Sequence, residues 1–287
     1  MVLIRQGKMK DCTDLFEVYQ GTRWFYRTRE GGYTTVEQIK DEHRGAAFSR
    51  WGWLVAEEKD HVVGEIVFRS EKNPIAGKIG IIRNLDIDVR HQKVGVGTKL
   101  TKAAEAAMKE KHVVRVIATT PPAAYNYWMK VKYFARGSIS NLTLSLNKVP
   151  ELKAPKVKTV KIKAPEKIPK SMNFSNIAYP GSLTEMAGDI VDGRLKGILL
   201  EFTSDGHVIG VGAVVRKNAK TASFVADVTK KGFDHADFVI SRTARVAIPW
   251  NVKSVETTIP KDQGGLYTSF AKWSYELSTD IPVTKLL

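Results

Sequence analysis

The sequence contains a single cysteine, Cys12, among 287 residues. That excludes an intrachain disulfide and any metal site built on paired thiolates, and no metal is expected. Cys12 reads as a small buried residue. No apolar run approaches the roughly 18 residues of a membrane span, so no membrane partner is expected. The start, "MVLIRQGKMKDCTDLF", lacks the apolar stretch and small-residue cleavage site of a signal peptide, so the expected location is the cytoplasm. Acidic residues are in short supply, with 30 Asp+Glu against 45 Lys+Arg and a net charge of +15. Most of the excess lies in residues 1–147 and in 148–170, which holds eight lysines and two glutamates. Such a field favours an anionic partner: a phosphorylated cofactor, an acidic protein or nucleic acid.

What is present is the composition of a globular protein, 43% hydrophobic and 26% charged, at a length that suits two domains. "KVPELKAPKVKTVKIKAPEKIPK" (148–170) has four prolines and Lys-Ala-Pro twice, and reads as a connector. Its "KVKTVKIK" alternates polar and apolar residues, so part of it can pair as a strand. The expected division is residues 1–147, a linker over 148–170, and residues 171–287. In the first half, "DCTDLFEVYQ" and "TKLTKAAEAAMKEK" carry apolar residues at helical spacing, and "WGWLVAEEKDHVVGEIVFRS" reads as a hairpin around Lys59 and Asp60. "IGIIRNLDIDV" and "VVRVIATT" read as strands, "AAYNYWMKVKYF" as a helix and "SISNLTLSL" as a closing strand. The pattern is α/β (α+β), a mixed sheet with flanking helices.

Two glycines stand in "HQKVGVGTKL", between the strand ending near Val89 and the helix beginning near Gly97 or Thr98. Glycine there either makes a tight turn or lets the free amides at a helix start approach a phosphate, with Lys93 adding a cation. A P-loop's closing Gly-Lys-Ser/Thr is absent, and Leu100 stands where a dinucleotide fingerprint needs its third glycine. The pattern that fits is Gln/Arg-x-x-Gly-x-Gly/Ala, here Gln92-Lys93-Val94-Gly95-Val96-Gly97. With "LIRQGKMKDCTDLFEVY", "WLVAEEKDHVVGEIVF", "NLDIDVRHQKVGVGTKL" and "AYNYWMKVKYF" in order, residues 1–147 resemble the GNAT superfamily of acetyl-CoA-dependent N-acetyltransferases.

The resemblance implies that acetyl-CoA is the cosubstrate and that amides from Val94 to Thr98 hold its pyrophosphate. It implies that Ile87 and Val89 pair with the pantetheine arm in a gap between two splayed strands, with Val89 N–H as oxyanion donor. Acetyl transfer to an amine also needs a base and a proton donor for the departing thiolate. The position where the family often carries a donor tyrosine holds Trp128, and its frequent asparagine aligns with Pro121. Tyr125, close to the same helical face, is the expected substitute acid, and Asp86 the expected base, with Glu65 on the neighbouring strand; packing or surface roles for these side chains stay open. His91 is expected to border the phosphates.

The second half echoes the first. "ETTIPKDQGGLYTSFAKWSY" (256–275) parallels "ATTPPAAYNYWMKVKY" (118–133), and "SFVADV" parallels "NLDIDV", which suggests two copies of one fold. The counterpart of the glycine loop, "TKKGFDHADF" (229–238), has one glycine and sets Phe233 and Asp234 where a pyrophosphate would lie. The second copy is therefore expected to lack CoA and to wall the acceptor groove. An N-acetyltransferase acting on a small amine or a protein is the expected function. The alternatives are a non-catalytic acetyl-CoA sensor, consistent with Trp128 and Pro121, and a nucleic-acid binder using the basic segment.

Overall fold

The computed structural model describes residues 1–21, 34–73, 76–163 and 165–287. Ala164, inside the second Lys-Ala-Pro, lies outside the described residues. The first half runs β1 (Leu3–Gln6), α1 (Cys12–Gly21), α2 (Val36–Arg44), β2 (Trp53–Glu58), β3 (His61–Asn73), β4 (Gly77–Ile87), α3 (Val96–Glu110), β5 (Arg115–Thr120), α4 (Tyr125–Lys130), β6 (Phe134–Ala135) and β7 (Ile139–Ser145). The second half runs β8 (Lys158–Ile162), α5 (Ser182–Val191), β9 (Gly197–Ser204), β10 (His207–Arg216), β11 (Thr221–Val228), α6 (Ala236–Arg245), β12 (Ser254–Pro260), α7 (Gly264–Thr268), β13 (Ser274–Leu277) and β14 (Ile281–Leu286).

The local chemistry explains these elements. The β2–β3 hairpin turns on Lys59 and Asp60, both at positive φ, and β9–β10 turns on Asp205 and Gly206 in the same way. Such turns match the right-handed strand twist. Helix α2 starts at a reciprocal cap in which Thr35 Oγ1 accepts from Gln38 N–H. Helix α3 buries Val96, Leu100, Ala104 and Met108 against Ile66, Phe68, Val116 and Ala118 on one face of the first sheet. On the other face α1 and α2 bury Cys12, Leu15 and Ile39 against Trp53, Val55 and Val67. The second half repeats this plan, with α6 on one face and α5 on the other. No helix among the described residues is long and apolar enough to cross a membrane.

Among the described residues the strands form two seven-stranded sheets, ordered β1-β2-β3-β4-β5-β14-β6 and β8-β9-β10-β11-β12-β7-β13. The two orders correspond strand for strand, with one reciprocal exchange. Strand β7, read from the sequence as closing the first domain, pairs antiparallel with β12, from Ile139↔Pro260 to Ser145↔Ser254. Strand β14 takes the equivalent place in the first sheet, pairing with β5 from Ile281↔Thr120 to Leu286↔Arg115. The sheets therefore do not divide at the expected positions 147 and 170. The alternation of β7 buries Leu142 and Leu144 in the second-half core, and Val283 of β14 is buried in the first. Part of the basic segment is β8, which pairs with β9 and forms the outer edge of the second sheet. Lys158 and Lys161 on that edge are exposed, as suits an edge that must not recruit another strand.

Because β14 covers the edge of β5, truncation after Asp280 is expected to unfold the first sheet although it removes no residue of the first half. Loss of hydrogen-exchange protection over Arg115–Thr120 would show it; unchanged protection there would contradict the exchange.

Candidate active site

Strands β4 and β5 run parallel for only four pairs, from Ile79↔Arg115 to Ile82↔Ala118. The next β4 residue, Arg83, is the extra residue of a bulge against β3, where the register passes from Phe68↔Ile82 to Val67↔Asn84. A bulge bends its strand and increases the local twist, so β4 leaves β5 at this point. Beyond the bulge β4 stays bonded to β3 on its other side. Asp88 N–H donates to Val63 C=O at 2.9 Å. Antiparallel alternation then turns the amides and carbonyls of Leu85 and Ile87 away from β3, into the gap left by β5.

Below the gap lies the glycine loop. Val89, expected on the strand, instead opens a 3-10 turn (Val89–His91), which Asp88 caps by accepting from Arg90 N–H at 2.8 Å. The strand's last inward-facing amide is therefore that of Ile87 rather than Val89. Gln92 Nε2 donates to Ile87 C=O at 3.0 Å, tying the loop to the strand end. Lys93 and Gly95 have φ of 64° and 93°. Gly95 is the N-cap of α3, and a Cβ there would meet nothing within 4 Å. The first intrahelical bond is Lys99 N–H to Gly95 C=O, so the amides of Val96, Gly97 and Thr98 have no acceptor within the helix. No acidic residue stands in the first turn and no side chain caps it. Gly97 lies under the Tyr127 ring, 3.3 Å from where its Cβ would be. A pyrophosphate fits this arrangement: amides converge at the positive end of a 15-residue helix, and the glycine that would obstruct it with a side chain has none.

The other expected residues are scattered. Trp128 is buried and packs edge-on against Tyr133 and Tyr127. The Tyr127 hydroxyl is bonded to Thr101 Oγ1 at 2.6 Å, and burial pushes its phenol up to about 12. Tyr125 is half-buried and packs against the core on the α3 side of the sheet. His91 sits between Glu58, at 3.3 Å, and Asp88 rather than facing the open loop. Arg90 bonds the Asp88 carboxylate and holds it down at about 2. Asp86 is half-buried on β4, directly across from Glu65 on β3.

Glu65 is completely buried and is no candidate base. It accepts from Trp53 Nε1 at 3.0 Å and from the Tyr19 hydroxyl, and it pairs with His43 Nε2 at 3.1 Å. His43 Nδ1 faces Ile39 C=O at 2.8 Å. Both ring nitrogens therefore face acceptors, which only the imidazolium satisfies. Burial opposes that charge, but the charge of Glu65 and its hydrogen bond outweigh it and the His43 pKa is raised.

In the second half, β11 and β12 also part early, after Ser223↔Glu256. No cradle accompanies this gap. Residues Lys230–His235 form a 3-10 helix, and Ala236 N–H, the first of α6, donates back to Phe233 C=O. Tyr267, Thr257 and Asp227 are buried here, and burial raises the Tyr267 phenol.

Residues 17–131 match the family model described as Acetyltransferase (GNAT) family. No curated protein matches the sequence significantly. Among solved structures, a GCN5-related N-acetyltransferase from Kribbella flavida aligns with the whole chain over 71% of its own length, at TM-score 0.63 and 11% identity. A putative acetyltransferase from Pyrococcus horikoshii does so over 89% of its length, at TM-score 0.56 and 17% identity. A tandem GNAT protein from the clavulanic acid biosynthesis pathway does so over 98% of its length, at TM-score 0.52 and 12% identity. The architecture is thus that of tandem GNAT proteins. Residues 17–131 are similar to the GNAT acetyltransferase family, and the whole chain shares the fold of these neighbours.

The raised His43 pKa sets a pH dependence. An imidazolium stabilised by Glu65 contributes in full below the ordinary histidine value of about 6.5 and is lost as pH rises through its raised value. Urea denaturation is expected to show stability falling with pH on the alkaline side of about 6.5. His43→Gln should be less stable by about 3 kcal/mol at pH 6, since it leaves a buried carboxylate without its cation, and should lack that slope.

Proposed function

We propose that the chain is an acetyl-CoA-dependent N-acetyltransferase with one working site, in the first half. The observation that carries this reading is the parting of β4 from β5 at the Arg83 bulge, directly above the uncapped start of α3. Acetyl-CoA would supply the activated acetyl thioester. Amides from Val94 to Thr98, with Lys93 and Gln92 beside them, would hold its pyrophosphate. The main-chain groups of Leu85 and Ile87 would receive the pantetheine arm, and Ile87 N–H would stabilise the carbonyl oxygen as it becomes an oxyanion.

The acceptor amine would approach from the face opposite α3. A lysine-type amine has a pKa near ~10.4 and must shed a proton before it attacks. Asp86, beside Ile87 and facing away from the α3 core, is the residue that would take that proton, directly or through water. Its placement opposite the Glu65–His43 pair puts a compensated charge behind it. A small amine and a protein amine are both admissible acceptors. The nucleic-acid reading is not favoured, because the lysines of β8 have a structural role on an exposed sheet edge. An acetyl-CoA sensor without turnover is the second reading, favoured by Trp128 at the position of the family's usual tyrosine.

Calorimetry with CoA and a turnover assay over an amine panel separate these readings. Tight binding with CoA release supports the enzyme, binding alone supports the sensor, and no binding removes both. Gly95→Val forces a branched residue to φ of 93°, a strain of order 1–3 kcal/mol, and is expected to weaken CoA binding by about tenfold or more. Asp86→Asn is expected to lower kcat by about 100-fold at neutral pH while CoA affinity stays unchanged. Equal kcat in this variant would remove Asp86 from the mechanism.

A further inference from the structure

Transfer of an acetyl group from a thioester expels a thiolate, and a positioned proton donor lowers that barrier. Helix α4 offers little. Its indole at Trp128 is not an acid of the needed strength, and Tyr125 and Tyr127 pack against the α3-side core, where the Tyr127 hydroxyl meets Thr101 of α3. The opposite face of the gap is built by the second half. The turn leading into α5 lies across three strands of the first sheet. Gly181 N–H donates to Glu71 Oε2 on β3 at 3.1 Å, and Gly181 C=O accepts from Arg69. Glu185 takes Arg83 Nε, at the bulge on β4, at 3.1 Å.

These contacts set Tyr179 over the end of β5, where its hydroxyl is hydrogen-bonded to Thr119 Oγ1. Thr119 directly follows Ala118, the last β5 residue paired with β4, and it is exposed. The phenol therefore stands at the mouth of the gap, on the side from which an acceptor would enter. Ser182 fixes the turn by donating its N–H, at 3.0 Å, and its hydroxyl, at 2.7 Å, to Tyr179 C=O.

We propose that Tyr179, supplied by the second half, is the proton donor to the departing thiolate in the first-half site. This rests on the acetyl-transfer reading. The amine lone pair forms the C–N bond at the acetyl carbon, and the C–S bond breaks with its electron pair going to sulfur. The Tyr179 Oη proton passes to that sulfur, giving the free thiol. The amine's surplus proton leaves through Asp86, and the phenolate recovers a proton from water, so amide and CoA thiol are the only products. Burial, opposed by the Thr119 bond and aided by Glu185 and Asp280, pushes the Tyr179 phenol up to about 12, so it carries its proton at neutral pH.

The test uses the full chain with Tyr179→Phe, which keeps the ring, Thr119→Val, which releases the hydroxyl, and Tyr125→Phe. Calorimetry compares CoA with desulfo-CoA, which lacks the sulfur. Tyr179→Phe is expected to weaken CoA several-fold and to leave desulfo-CoA unchanged, with an unaltered melting temperature. In turnover, kcat is expected to fall by about 100-fold with KM for acetyl-CoA held within about twofold, and Thr119→Val to lower kcat in the same direction. Wild-type kcat in Tyr179→Phe, an unchanged CoA to desulfo-CoA ratio, or a loss confined to Tyr125→Phe would overturn the assignment. Wild-type protein that binds neither compound would overturn the acetyl-transfer reading itself, whereas an active wild type with an indifferent Tyr179→Phe would overturn the tyrosine alone.

Discussion

The structure depends on one exchange of backbone hydrogen bonds between its halves. Strand β7 leaves the first half to fill the place beside β12, and β14 returns to fill the place beside β5. Without β14, strand β5 would expose its unpaired groups and its edge of the core, and unpaired backbone groups beside a core cost free energy. Neither half is therefore complete on its own sequence. The exchange also holds the two sheets together in one geometry, and that geometry lays the α5 turn over the gap of the first half.

The two halves share the early parting of their central parallel strands, at Ile82/Ala118 and at Ser223/Glu256. What distinguishes them is the helix start beneath. In the first half a glycine N-cap in the left-handed region leaves α3 uncapped and open, whereas in the second a 3-10 helix precedes α6, and Gly232 and Ala236 N–H donate back to Thr229 and Phe233 C=O. An anion gains from free amides and loses nothing to a competing acceptor. One half thus keeps an open helix start and the other does not, which is the asymmetry the single-site proposal rests on.

Buried charge organises the face opposite α3. His43 and Glu65 neutralise each other behind β3, while Arg69, Glu71, Arg83 and Glu185 bridge the halves along β3 and β4. Each buried carboxylate here has a cation or N–H donors, as low polarity demands. The face of the first sheet opposite α3 is therefore lined with paired charges rather than with apolar side chains alone.

The hairpin on Lys59-Asp60, the α3 stripe and the glycine loop were legible in the sequence because each is specified by neighbours within about one turn of chain. In the second half the corresponding segment, with Phe233 and Asp234, forms a 3-10 helix over Lys230–His235. Legibility failed where partners are distant. Strand "SISNLTLSL" alternates correctly for either sheet edge, and nothing within it says which core will bury Leu142 and Leu144. Strand β4 ends at Ile87, two residues before Val89, because Asp88 accepts from Arg90 N–H and starts a turn there. Nothing beside Glu65 in the sequence says that partners from α1, α2 and β2 converge on it and bury it. Tyr179 had no local signal at all, standing in an unremarkable "NIAYP". Sequence alone determined the repeated α/β plan and the glycine turn that opens α3, because periodicity and glycine chemistry act locally. Only the tertiary structure decided which strands trade places and which side chains from the second half reach the first, because those follow from pairing between residues more than a hundred positions apart.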